Sequence, residues 1–146
     1  MQVSKIVPLQ AIALRLSPGQ DLQEELLLLM QQQEIAAACV MTCVGSLEKV
    51  ALRMANRSEA TYLEDKYEIT SLEGTLSSKS SHLHLSLSDG TGAALGGHVL
   101  RGCIIYTTAE IVLGVLPDLQ FERKLDPASG YQELFIEPES LIYSQR

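Results

Sequence analysis

The sequence contains no run of basic residues, no long apolar segment and few cysteines. Its 11 lysines and arginines are scattered along the chain and are outnumbered by 18 acidic residues, which gives a formal charge of −7. Because nucleic-acid binding relies on clustered positive charge, this balance argues against DNA as a partner of the isolated chain. The apolar runs are also shorter than the roughly 18 residues that span a bilayer, so no membrane association is expected.

The three cysteines, Cys39, Cys43 and Cys103, are odd in number and lie in apolar segments. These features favour buried thiols over a disulfide framework, and they disfavour metal ligation by Cys39 and Cys43. The first ten residues do not have the form of a signal peptide, so we expect a cytoplasmic location.

The length and composition predict one domain, because 146 residues with 46% hydrophobic residues can form a real core. We place this domain at residues 1–138. Residues 139–146 are predicted to form a loosely ordered tail.

One long helix is predicted after a first strand that ends near Leu16. Two overlapping capping boxes, Ser17 with Gln20 and Asp21 with Glu24, mark its start. The apolar residues at helical spacing, which predict a buried stripe, are Leu22, Leu26, Leu29 and Met30. The run of four consecutive leucines exceeds one such stripe, which favours a subunit contact in addition to the core.

The next apolar segment, residues 35–44, is bounded by Gly45 and Ser46. Its nearly continuous apolar character predicts a central strand that is buried on both faces and ends in a turn. A second strand then alternates apolar and polar residues, which places Arg53 on the face opposite Leu52. Arg53 is either a surface ion-pair residue or a functional cation.

The remaining chain alternates between polar turns and apolar strands. Residues 56–66 are predicted to form a loop or weak hairpin, and residues 67–77 a strand with a bulge near Gly74. Further strands are predicted at Val99–Thr107, Glu110–Leu116 and Tyr131–Ile136. One main helix against six or more strands predicts an α+β fold.

All three histidines lie between Ser81 and Gly102. Strand alternation places His82 and His84 on one face, opposite a leucine face. If the following DGTG turn has a three-residue loop, His98 lies opposite His84; a two-residue loop turns it to the other face, unless a bulge at the preceding glycines corrects this. Three converging imidazoles predict an open site for zinc or a similar divalent ion, whereas ordinary polar residues on a solvated strand are the simpler alternative.

The order of these motifs resembles the PPC domain family ("plants and prokaryotes conserved"). The segments that carry the resemblance are PGQDLQEELLLLMQQQEIAAACVMTCVGSLEKVALR, YEITSLEGTLS and HLHLSLSDGTGAALGGHVLRGCIIYTTAEIVLGVL. The resemblance implies an antiparallel sheet packed with a helix, assembly as a homotrimer, and a metal site, commonly zinc, at His82, His84 and His98. In the plant members a short basic arm, the AT-hook, contacts DNA; the sequence contains no such arm.

The family fold is also distantly similar to that of acetolactate decarboxylase, a zinc enzyme with a related histidine arrangement. Such an enzyme uses arginine and glutamate near its metal. That similarity suggests Arg53, together with Glu68 or Glu110, as catalytic candidates.

Three functions follow as hypotheses. The first is a trimeric metal-binding domain that binds or processes a small anionic molecule, with Arg53 orienting the anion. The second is a DNA-binding regulatory protein, by analogy with the AT-hook proteins. The third is a structural interaction module whose metal holds the histidine hairpin together in a closed site.

Overall fold

The computed structural model describes residues 2–138, so the predicted tail at residues 139–146 lies outside the described residues. In chain order the elements are β1 (Gln10–Leu16), α1 (Leu22–Gln32), β2 (Ala38–Arg53), β3 (Ala60–Leu76), β4 (Ser81–Ser88), β5 (Ala94–Val99), β6 (Ile104–Val115), β7 (Leu119–Leu125) and β8 (Gln132–Pro138). Within this part of the chain, eight strands and one helix confirm the α+β class, although the helix, at 11 residues, is shorter than the long helix predicted. Among residues 2–138, no helix is long and apolar enough to cross a membrane.

Six strands form an antiparallel sheet in the order β1-β6-β2-β3-β4-β5. The sheet curls until β5 also pairs with the end of β2, where Leu52 lies opposite Val99 and Arg53 opposite His98. β7 and β8 form a separate two-stranded sheet. The curl brings the end of β2 next to the histidine hairpin.

Asp21, from the second of the two predicted capping boxes, is the N-cap of α1. The Asp21 carboxylate accepts hydrogen bonds from the backbone N–H groups of Gln23 and Glu24, at 2.9 and 3.0 Å. Gln20 instead closes the preceding turn by accepting from the backbone N–H of Ser17. Three of the four predicted stripe residues, Leu22, Leu26 and Met30, are fully buried in the main core, and Leu29 is half-buried.

The cysteines are free thiols, as expected. Cys43 and Cys103 are buried, and burial raises the pKa of each thiol to about 11. Both groups are therefore protonated and unreactive at neutral pH.

The prediction of a strand that is buried on both faces and ends at Gly45 is wrong. β2 is 16 residues long and passes through Gly45 without a turn. Two of its residues, Met41 and Val44, are exposed. The glycine allows close approach of β6, because a Cβ at position 45 would overlap the carbonyl oxygen of Thr108. The central position of the strand in the sheet is confirmed.

Other predicted strand bounds also differ. β3 begins at Ala60, because its ladder with β2 extends across most of the segment predicted as a loop. The irregularity in the β3–β4 ladder falls between Ile69 and Ser71 rather than at Gly74. The segments predicted as two strands, 99–107 and 110–116, form the last residue of β5 and then one continuous strand, β6. β6 is continuous because its pairing with β2 extends on both sides of the polar residues that separate the two predicted strands.

Candidate metal centre

The β4–β5 hairpin brings the three histidines together. Leu83 and Leu85 point into the core, so His82 and His84 lie on the opposite face of β4. The turn has the three-residue loop: the backbone N–H of Asp89 donates to the carbonyl of Ala93 at 3.0 Å. The predicted register, with His98 opposite His84, is therefore confirmed without a bulge at the two glycines.

The imidazole rings face one another at short range. Ring centroids lie 5.0 Å apart for His82 and His84, 5.1 Å for His82 and His98, and 5.7 Å for His84 and His98. One nitrogen from each ring lies within 4.8 Å of the other two. His84 is exposed while His82 and His98 are half-buried, so the group is reached from solvent on the His84 side.

The spacing of two of the imidazoles fits a zinc-class ion. The Nε2 atoms of His82 and His84 are 3.3 Å apart, close to the roughly 3.3 Å expected between two nitrogens that each lie about 2.05 Å from a tetrahedral ion. Nδ1 of His98 is buried and has no hydrogen-bond partner within residues 2–138. An imidazole nitrogen buried without a partner is costly, and ligation or a ligand contact would satisfy the ring.

Arg53 lies beside the cluster. It ends β2 directly opposite His98, so the two side chains are cross-strand neighbours. Arg53, His82 and His98 line one cavity of about 490 Å³. Glu68 and Glu110 do not join them: Glu68 lies opposite Ser88 at the far end of β4, and Glu110 pairs with β1.

A second arginine reaches the site from β7. Arg123 donates from Nη2 to the hydroxyl of Thr75 at 2.9 Å, and its Nη1 lies 3.2 Å from Nδ1 of His82. Glu133 on β8 is the acidic neighbour, since it lines the same cavity as Arg53 and Arg123. β7 has no counterpart among the predicted strands. The sequence signal for it is the alternation of Leu119 and Phe121 with polar residues, and this alternation places Arg123 on the same face as the two apolar residues.

The surroundings of His82 and His98 favour the neutral forms of these two side chains. Burial, followed by the positive charge of Arg53, lowers the pKa of His98 to about 4. Burial and then Arg123 also lower the pKa of His82. Neutral imidazoles are the form that ligates metal ions, whereas the two guanidiniums favour bound anions.

Comparison with known proteins identifies relatives over most of the chain. Residues 4–117 match the model of the Plants and Prokaryotes Conserved (PCC) domain, and this match ends before β7. The chain is 47% identical over 130 residues to a Synechococcus protein named Bifunctional protein GlmU; the match covers 89% of the chain but only 21% of that relative. The chain therefore spans about a fifth of the length of this curated relative.

Two solved structures share the fold. A hypothetical protein from Salmonella cholerae-suis is 43% identical, with a TM-score of 0.91, 92% of this chain covered and 98% of that one. A metal-containing protein from Archaeoglobus fulgidus is 23% identical, with a TM-score of 0.80, 92% of this chain covered and 99% of that one.

Proposed function

The chain belongs to the Plants and Prokaryotes Conserved (PCC) domain family, and we propose that it binds a zinc-class divalent ion at His82, His84 and His98 and a small anionic molecule beside that ion. The observation that carries the proposal is the convergence of the three imidazoles, with one nitrogen of each within 4.8 Å of the others. The Archaeoglobus protein of the same fold is named as metal-containing, which supports a metal on this scaffold.

The ligand set favours an open site over a closed structural one. Among residues 2–138, the group of converging ligand atoms consists of these three histidines, with no cysteine or carboxylate in it. Structural zinc sites usually have four protein ligands, whereas catalytic and ligand-binding sites leave one position free. When bound, the ion would supply a Lewis acid for a carbonyl or phosphoryl oxygen.

Arg53 gives the open position its preference for anions. Its guanidinium carries a fixed positive charge and a planar set of donors that match a carboxylate or phosphate group. It lines the cavity next to His98, so an anion bound there would lie beside the ion. Arg53 is thus proposed to orient the anion, and the proposal does not specify a chemical reaction.

Metal content of histidine variants tests the proposal. His84→Ala should lose most of the affinity for Zn²⁺, because two imidazoles hold the ion far more weakly than three. Ser86→Ala is the matched control, since Ser86 lies two residues along the same exposed face of β4. The wild type and the control should bind about one ion per chain in elemental analysis of untagged protein. Equal metal content in His84→Ala would rule out the site.

We also propose that the chain assembles as a homotrimer. The apolar side chains on β2 and before β1 that a monomer leaves in water include Leu9, Met41 and Val44. Contact between subunits would cover them, and the family resemblance makes a cyclic trimer the expected form.

Light scattering tests the assembly. The wild type should have about three times the chain mass of 16.0 kDa at micromolar concentration. Val44→Glu should dissociate it, because an unpaired carboxylate in an interface costs several kcal/mol. Leu125→Glu, which changes an exposed leucine on β7, should leave the trimer intact. A folded wild-type monomer would contradict the proposal.

A further inference from the structure

Arg123 makes a contact that fixes the proton of His82. A guanidinium has only donors, so in the 3.2 Å contact between Nη1 of Arg123 and Nδ1 of His82 the nitrogen of the imidazole accepts. The ring proton of neutral His82 must then lie on Nε2. That nitrogen faces Nε2 of His84 at 3.3 Å and donates to it.

His82 in this tautomer directs an N–H, rather than a lone pair, toward His84. Ligation through Nε2 requires the proton to move to Nδ1, and a protonated Nδ1 cannot accept from Arg123. Ligation through Nδ1 uses the same lone pair that Arg123 occupies. Whichever nitrogen of His82 ligates an ion, the Arg123–His82 hydrogen bond must break.

Two features lie within reach of the Arg123 guanidinium once its hydrogen bond to His82 is broken: the hydroxyl of Thr75 and the cavity beside Arg53. Thr75 lies opposite His82 on the neighbouring strand and holds the other nitrogen of Arg123 at 2.9 Å. Arg123 also lines the cavity of about 490 Å³ that contains Arg53 and Glu133. Glu133 supplies one negative charge against two guanidiniums, so this cavity retains an excess of positive charge.

We propose that Arg123 is an anion-binding residue that metal binding releases: it rests on His82 in the metal-free protein, and it turns into the cavity beside Arg53 when His82 ligates an ion. This inference rests on the proposed metal site. The two arginines then take one carboxylate or phosphate group between them, because two planar sets of donors suit the several oxygens of such an anion. Metal and anion binding are consequently coupled through Arg123.

Metal affinity without an anion gives the first test. Arg123→Gln removes the competitor for His82, so its Kd for Co²⁺ should fall by roughly fivefold or more. Arg53→Gln removes a nearby charge without touching the His82 hydrogen bond, and should have a smaller effect. Arg101→Gln, which removes an exposed arginine paired with Glu24, should have none. Weaker Co²⁺ binding by a folded Arg123→Gln would show that Arg123 supports the metal site and would overturn the inference.

The tautomer of His82 gives a readout that a structural role would not move. Long-range ¹⁵N–¹H correlation spectra should show the proton on Nε2 in the metal-free wild type. Zn²⁺ should change which nitrogen of the His82 ring carries the proton. If Arg123→Gln does not fold, Arg123→Lys, which keeps the charge, tests whether the His82 tautomer depends on the guanidinium. A proton on Nδ1 in the metal-free wild type would contradict the proposal.

Anion binding completes the test, with acetate and methylphosphonate as the carboxylate and phosphate probes. Saturating Zn²⁺ should tighten the binding of at least one probe by roughly fivefold or more, and most of this gain should be lost in Arg123→Gln. The probe with the larger gain identifies the preferred group. If the wild type binds no metal, the proposed function and this inference both fail; if it binds metal but Arg123→Gln keeps the full gain, only this inference fails.

Discussion

The two hairpins that form the site are built into the protein in different ways. The β4–β5 hairpin belongs to the main sheet, and its leucines lie in the main core. The β7–β8 hairpin forms its own sheet and is anchored by a smaller cluster that contains Ala37, Leu119 and Phe121. The proposed metal ligands thus lie on the part of the fold held by the main core, whereas Arg123 lies on a part held by the smaller cluster, which suits the movement proposed for its side chain.

The largest expected effect comes from a change beneath the histidine hairpin. A Cβ on Gly74, which has φ +141°, would overlap the carbonyl oxygen of His82. Gly74→Ala should therefore lower the free energy of unfolding by about 3 kcal/mol or more and disrupt the β3–β4 ladder. Gly90→Ala in the hairpin loop meets open space and should change stability little. Chemical denaturation measures both, and a stable Gly74→Ala would show that the hairpin is not rigidly held.

A change in the other hairpin should separate the two binding functions. Phe121→Ala should lower the free energy of unfolding by about 3 kcal/mol, since it removes a buried ring from the smaller cluster. The loosened hairpin should weaken methylphosphonate binding. It should keep or raise the Co²⁺ affinity, because Arg123 then competes less for His82. Calorimetry can measure both affinities. Phe135→Ala on the half-buried part of β8 is the matched control and should have a smaller effect. Equal losses of both affinities would show that the hairpins act as one unit.

The smallest expected effect is on the pH dependence of the metal-free protein. His98 has a folded-state pKa of about 4 against an ordinary value of 6.5. Between these pH values the unfolded state binds more protons, so stability is full above pH 6.5 and is lost as the pH falls toward 4. Because His98 exchanges at most one proton, its contribution to the slope stays below about 1.4 kcal/mol per pH unit, and solvent screening of this half-buried site lowers it further.

Denaturation at several pH values, after removal of metal with a chelator, measures this slope. His98→Asn should reduce it, because asparagine does not titrate. A slope that is unchanged in His98→Asn would assign the pH dependence to other groups.

The difference between the hairpins also explains what the sequence could predict. The alternation of leucines in β4 and the DGTG turn limit the register over a short stretch to a few choices. The three-residue loop, which is the one observed, brings His82, His84 and His98 together. Arg53 was predicted on the polar face of its strand, but its pairing with His98 depends on the curl of the whole sheet.

Arg123 could not be placed from local pattern. It joins His82 across 41 residues of chain, and its position depends on how the β7–β8 hairpin packs on the rest of the domain. The failed prediction at Gly45 has a related cause: glycine occurs both in turns and where two strands approach closely, and only the partner strand distinguishes these cases.

The most direct test of a metal site that opens toward two arginines is the visible absorption spectrum of the Co²⁺ form. We predict the intense bands of four-coordinate Co²⁺ in the wild type, their loss in His84→Ala, and a shift of the bands when methylphosphonate enters the open position. A weak spectrum identical to that of Co²⁺ in water, in wild type and variant alike, would contradict the site.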